Sequence, residues 1–259
     1  MNFRAILLAG TAVIATATAA QAAQVAALIG GDTIAVVDTE QKKATKSVKV
    51  TGIDGALVGI DVRPADNMLY GLVDDGTVVT IAMDGKATQK SKLETMLAKG
   101  VTATVDFNPV ADRLRVMGSD GMSLRANVDD GKVTKDGDHK YAETDIHKGE
   151  KPNVIGGAYT NSVKGAKETA LFNIDGTIGA LVKQAPPNDG ILGAVGKLGI
   201  KPTTVAFDIV SDGNGKNDAW LMADGTLYSV DLATGKATEA AKISGVTGAV
   251  KDIAILPAM

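Results

Sequence analysis

The sequence predicts an all-β chain arranged as a five-bladed β-propeller, and three observations lead there. Asp-Gly occurs ten times, at Asp54, Asp75, Asp84, Asp120, Asp130, Asp136, Asp175, Asp189, Asp212 and Asp224. Glycine takes positive φ at no steric cost and aspartate tolerates it, so the pair marks tight turns between strands. Between those turns lie short apolar or alternating runs such as "LVGIDV", "MLYGLV", "TVVTIAM" and "LYSVDL", the strand signature. Laid beneath one another, the runs repeat about every 45 residues, the spacing of a repeat architecture.

The chain opens with Arg4, an apolar run over 5–20 and the small-x-small pattern Ala20-Gln21-Ala22. Those features read as an export signal over 1–22, cleaved before Ala23. Beyond it no apolar run approaches the roughly 18 residues of a membrane span. The expected product is a single domain over 23–259, periplasmic or secreted.

Residues 25–50 supply the later strands of one unit but lack its first strand. Four fuller units follow over 57–93, 103–134, 153–200 and 204–243. Residues 250–257, "VKDIAILP", match the first strand of the 57–93 unit: Ile253-Ala254-Ile255-Leu256-Pro257 runs in step with Ile60-Asp61-Val62-Arg63-Pro64. The C-terminal strand is therefore expected to complete the N-terminal blade and close the ring, as radial repetition requires. The alternative is six blades, with a degenerate one hidden in 132–152. Lysines in "KATKSVKV" and "KATQKSKL" suit exposed outer edges. The best short-helix candidate is "KLETMLAKG", 92–100.

Composition narrows function. With no cysteine, disulfide scaffolds, thiolate metal sites and cysteine nucleophiles are excluded, and an exported domain must be held by packing. Lysine and arginine number 27 against 30 acidic residues, without the basic footprint of a nucleic-acid binder. Aromatics at 3% give little material for stacked-ring carbohydrate platforms.

Together "LVGIDVRP", "LYGLVDDG", "VDFNPVADRLRV", "SLRANVDDG", "PNVIGGAYTNSV", "LFNID" and "QAPPNDGILGAVGKLGI" resemble the bacterial family catalogued as domain of unknown function 4394. The resemblance spans essentially the whole mature chain. It implies an exported, propeller-like protein and no particular activity.

Two sets of residues are candidates for a site. Asp61, Asp106 and Asp208 occupy one position in the first strands of three units, with Ala158 and Ala254 at the matching places. First strands line the channel of a propeller, and three carboxylates at one level suit calcium or another hard cation. The plainer reading is a structural cap or ion-pair partner within each blade. The second set is arginine: after Arg4 only Arg63, Arg113, Arg115 and Arg125 occur, against 22 lysines. Arg113 and Arg115 leave one face of a strand expected to be covered by neighbouring blades. A buried guanidinium needs partners for its planar fork, with Asp106, Asp112 and Asp61 nearest, so Arg113, Arg115 and Asp112 are expected as structural ion pairs. Alternatively, Arg63, Arg113 and Arg125 face a channel mouth and bind an anion. The stiff turn "PPNDG" presents Asn188 and Asp189 as further ligand candidates or merely joins two strands.

Other motifs fail. His139 and His147 fit no compact zinc spacing and are expected in a solvated loop. "SDGNGKNDA" departs from the EF-hand loop, "GAVGKLG" from the phosphate loop, and no G-x-S-x-G occurs. The function expected is non-catalytic binding of a small molecule or envelope partner by a monomer, through loops at one mouth. The alternative is a metal-dependent hydrolase or lyase centred on the three aspartates, for which no repeat strand offers a histidine as acid or base.

Overall fold

Frequent Asp-Gly pairs between short apolar or alternating runs favour antiparallel hairpins, and the computed structural model shows them. It describes residues 24–202 and 204–257; the expected export signal over 1–22 lies outside them. Sheet pairing defines five blades. Blade 1 comprises β21 (Val250–Leu256), β1 (Gln24–Ile29), β2 (Thr33–Asp38) and β3 (Lys43–Lys49). Blade 2 runs β4 (Leu57–Arg63), β5 (Met68–Val73), β6 (Thr77–Ile81), β7 (Ala87–Lys92). Blade 3 runs β8 (Ala103–Asn108), β9 (Arg113–Gly118), β10 (Ser123–Ala126), β11 (Val133–Lys135). Blade 4 runs β13 (Val154–Tyr159), β14 (Leu171–Asp175), β15 (Ala180–Gln184), β16 (Ile191–Lys197), with the short β12 (Lys140–Tyr141) at its outer edge. Blade 5 runs β17 (Ala206–Ser211), β18 (Asn217–Ala223), β19 (Thr226–Val230), β20 (Ala237–Lys242).

The two chain ends meet as expected. β21 pairs antiparallel with β1, matching Val25 to Ile255 and Ala26 to Ala254. The innermost strands then touch in a closed cycle: β21 against β4, β4 against β8, β8 against β13, β13 against β17, and β17 against β21. The cycle has no gap between blades. The ring is a five-bladed β-propeller.

Packing follows the ring. Each seam between blades holds its own apolar cluster: Tyr70 and Leu72 meet Phe107 and Leu114 between blades 2 and 3, and Ile174 and Leu181 meet Phe207 and Leu221 between blades 4 and 5. Each fully buried Leu, Ile or Phe contributes roughly 1.5–3 kcal/mol. The seam between blades 3 and 4 is the thinnest in apolar material, with Met117 as the one buried blade-3 hydrophobe in its cluster. Outer strands are the opposite. β3 and β7 expose Lys43, Lys46, Lys49, Lys90 and Lys92, charges that discourage pairing with another sheet.

Two sequence expectations change. Residues 93–100 form no helix. Leu93 donates its N–H to Gly76 O and Glu94 to Gly131 O, so the chain leaves β7 in extended fashion while Leu93 and Leu97 drop into the blade 2–3 cluster. Their four-residue spacing reflects anchoring in a loop. The stretch 132–152 holds no sixth blade; it supplies β11 to blade 3 and β12 to blade 4, where β12 lies parallel to β16. Among the described residues no helix is long and apolar enough to cross a membrane.

Candidate functional site

An innermost strand has a partner on one edge only, so alternate N–H groups along its other edge point into the channel without a ladder acceptor. Aspartate answers that deficit. On β4, Asp61 accepts from its own neighbour Val62 (2.6 Å) and, across the seam, from Phe107 of β8 (2.6 Å). Asp106 accepts from Tyr159 of β13 at 3.0 Å. Asp208 accepts from Ile209 (2.6 Å) and from Ile255 of β21 (2.6 Å). In each case the carboxylate takes the N–H that follows the matching position of the next blade, which fixes all three at one level.

The structure brings Asp61, Asp106 and Asp208 together: one carboxylate oxygen from each lies within 4.8 Å of the others. It also adds a fourth. Asp252 of β21 accepts from Ile253 (3.0 Å) and from Ile60 of β4 (2.9 Å), the same step one rung earlier along the strands. Matching Ala254 to Asp61 concealed it. The dipeptide of aspartate and an apolar residue, shared by Asp61-Val62, Asp106-Phe107, Asp208-Ile209 and Asp252-Ile253, is the signal that finds it. Four seams thus carry an aspartate bridge. Between blades 4 and 5 the matching residue is Ala158, and Ile209 N–H turns to its own Asp208.

All four carboxyls are buried. Burial and then the Asp208 charge raise Asp61 well above the usual carboxylate range, against the pull of the Phe107 and Val62 N–H groups. Asp106 is raised by burial and by Asp61 and Asp208, and Asp252 chiefly by burial. Asp208 is pushed up to about 6 by burial, opposed by its two N–H donors. None of the four forms an ion pair among the described residues. One rung from Asp106 on the same strand face lies Thr104, 4% exposed, whose Oγ1 has no hydrogen-bond partner among the described residues. Calcium binds oxygens at 2.3–2.6 Å, so opposed ligands lie about 4.6–5.2 Å apart. The carboxylate spacing fits inside that sphere.

The arginines sit at the two seams flanking blade 3. Arg63, buried on β4, grips Asp112 with Nε and Nη2 (2.8 and 2.6 Å) and reaches Asp129 at 2.8 Å and Tyr70 at 3.2 Å. Asp112 holds φ 50° in that turn. Arg115, 1% exposed, donates to Tyr159 Oη (2.6 Å), Ser123 (2.9 Å), Asp136 (2.8 Å) and Asn188 Oδ1 (2.8 Å). Arg125 grips the same Asp136 at 2.7 and 2.9 Å. Arg113 differs from the expected pairing with the Asp112 side chain. Its Nη1 donates to the backbone carbonyls of Ala111 and Asp112, because the Asp112 carboxylate already belongs to Arg63. Neither Asp61 nor Asp106 holds an arginine; their oxygens face the channel edge instead.

Asn188 and Asp189 lie in a 3-10 turn (Pro187–Asp189) closed by Gly190 at φ 68°. The Asn188 amide oxygen is held by Arg115, while Asp189 is exposed. His139 departs from the solvated loop expected of it. It is buried, neither ring nitrogen has a hydrogen-bond partner among the described residues, and burial, then the nearby Arg115 charge, pushes it down to about 4. His147 pairs with Glu150 at 3.1 Å.

A cleft of about 300 Å³ opens where the hairpins following β4, β8 and β13 converge. It is lined by Pro64, Ala65, Pro109, Val110, Asp112 and residues 164–167. Asp61 and Asp106 lie two residues before the ends of β4 and β8, so the cleft crowns the carboxylate level at one mouth.

Solved structures similar to the chain align with it at low identity. A protein of unknown function from Bacteroides caccae aligns at 11% identity over 92% of this chain and 100% of its own, with a TM-score of 0.45. A structural-genomics protein of unknown function from Bacteroides thetaiotaomicron aligns at 16% over 81% of this chain and 54% of its own, with a TM-score of 0.51. A luciferin-regenerating enzyme aligns at 12% over 91% and 76%, with a TM-score of 0.45. No curated protein matches the sequence. The family model described as Domain of unknown function (DUF4394) matches residues 33–254, nearly the whole ring, and the chain belongs to that family.

Proposed function

We propose that this protein is a non-catalytic binding propeller of the periplasm or extracellular space, its ring tied on the axis by a divalent cation of the calcium class. One observation carries the reading: three buried carboxylates, Asp61, Asp106 and Asp208, converge within 4.8 Å on the channel, with no basic partner among the described residues. Elsewhere the same protein surrounds buried Asp136 with two guanidinium groups. Ionised carboxyls in a buried site need a counter-charge or must protonate. A hard cation supplies that charge, and the unpartnered Thr104 hydroxyl and Asp252 stand one rung away to complete an oxygen shell.

The geometry favours a structural ion over a catalytic one. Asp61, Asp208 and Asp252 each hold two backbone N–H groups, one of them from the neighbouring blade. Moving such a carboxylate to carry a proton would loosen the seam it bridges. Ligand recognition then belongs to the hairpin loops at the mouth, presented by a stiff ring.

Thermal unfolding checks the cation. Calcium at a hundredfold excess over its dissociation constant should stabilise the fold by about 2.7 kcal/mol, or about 5–10 °C for a domain of this size. Chelation should reverse the gain. An unchanged melting temperature under both conditions contradicts the axial cation.

A further inference from the structure

The cleft at the hairpin mouth is lined from three blades. Pro64 and Ala65 come from blade 2, Pro109 and Val110 from blade 3, and residues 164–167 from the long hairpin of blade 4. Its walls are apolar or neutral apart from three charges: Asp112, Lys164 and Lys167. The Asp112 carboxylate is already engaged by both Nε and Nη2 of Arg63. Lys164 and Lys167 form no hydrogen bond or ion pair among the described residues. The lining therefore offers two available ammonium groups and a neutralised acid beside an apolar wall.

Those walls are preformed. Asn108 Oδ1 accepts the N–H groups of Val110 and Ala111, both at 2.9 Å, fixing the blade-3 tip. Arg63 clamps the base of that tip to blade 2. On blade 4, Thr169 Oγ1 donates to Thr160 O (2.6 Å) and Asn161 donates to Glu168 O (3.0 Å), closing the neck of the lysine loop. Val110 remains 48% exposed at the rim, among the few large hydrophobics left uncovered. A concave, mostly apolar, preformed space with a few placed charges is the usual form of a small-ligand site. At about 300 Å³ it suits a small molecule better than a peptide segment.

We infer that this cleft binds a small organic anion, a carboxylate or phosphate ester with an apolar body. The anionic end meets Lys164 and Lys167, and the body lies against Pro64, Pro109 and Val110. Ammonium groups act as mobile point charges, so the site recognises anionic charge more than one fixed geometry. The inference rests on the binding reading above and names its ligand chemistry.

The test is calorimetric titration of the full mature chain with phenyl phosphate, inorganic phosphate and phenol, in calcium and again in chelator. Phenyl phosphate should bind at millimolar concentration or tighter, and more tightly than either inorganic phosphate or phenol. Because both lysines are exposed, the double variant Lys164→Gln/Lys167→Gln should melt as the parent does while losing about tenfold or more in phenyl phosphate affinity. Val110→Ser should erase the advantage of phenyl phosphate over inorganic phosphate. No phenyl phosphate binding, or binding unchanged in the lysine variant, overturns the inference. So does a concentration-dependent dimer abolished by Val110→Ser, which would give the cleft to a second copy. Failure of the axial cation shows separately, as a melting temperature indifferent to calcium.

Discussion

Arg115→Met should lower stability by about 3 kcal/mol or more, within the range for breaking a buried ionic group, and melting should fall by about 6–20 °C. Arg115 is 1% exposed and ties four groups at once: Tyr159 and Asn188 on blade 4, Ser123 and Asp136 on blade 3. Its removal strands polar atoms at the seam with the least apolar packing. Arg115→Lys keeps the charge but not the fork, so it should fall between Met and the parent. Arg125→Met is the control. Arg125 is 28% exposed at its side chain and leaves Asp136 still paired to Arg115, so its loss should cost less than half as much. Equal melting for Arg115→Met and the parent would show that the blade 3–4 seam does not depend on this guanidinium.

Neutralising one axial carboxyl should invert its effect with calcium. In chelator at pH 7, Asp106→Asn relieves repulsion from Asp61 and Asp208, while the amide oxygen can still accept the Tyr159 N–H; stability should hold or rise. In calcium the same change removes a ligand, and the variant should fall below the parent. The pH dependence follows from the direction of the shifts. Asp208 is raised to about 6 in the folded state, so the unfolded chain gives up this proton first as pH rises. Its stabilising contribution is complete below the unfolded value near 3.9 and disappears as pH climbs through about 6. Two units correspond to something on the order of 3 kcal/mol. Asp61, Asp106 and Asp252 act in the same sense. Calcium-free protein should therefore melt higher at pH 5 than at pH 7, and saturating calcium should flatten or reverse that slope. His139 opposes it. Held neutral with a folded value of about 4, it loses stability as pH falls from about 6.5 toward that value. His139→Leu should steepen the gain on acidification; a slope unchanged in that variant would remove the histidine from the account.

The repeat made most of this site legible. Asp61, Asp106 and Asp208 recur at one strand offset, and equivalent strands in a ring must bring equivalent residues to one level. Closure was legible for the same reason, because 250–257 repeats the first strand of a unit whose remainder lies at 25–50. What the repeat could not show was departure from its own register. Asp252 performs the same N–H capture two residues early, where a strict alignment sees only Ala254. Two further carboxylate partners of the arginines were hidden because they come from turns: Asp129 and Asp136 follow different strands and reach the seams only in three dimensions. The spacing of Leu93 and Leu97 read as helical because a loop anchored at two points and a helix face can share that interval. The burial of His139 had no local signal, since its stretch is polar and charged groups near it, Arg115 and Asp175 among them, come from elsewhere in the fold.

The most direct test is equilibrium dialysis of metal-stripped protein against radioactive calcium, with Asp61→Asn/Asp106→Asn alongside. Three converging acids inside a closed ring predict a single saturable equivalent per chain, with a dissociation constant up to about 10⁻³ M, as in extracellular modules, abolished in the double variant. Absence of binding, or an equivalent retained when both acids are amides, would contradict an ion held on the axis.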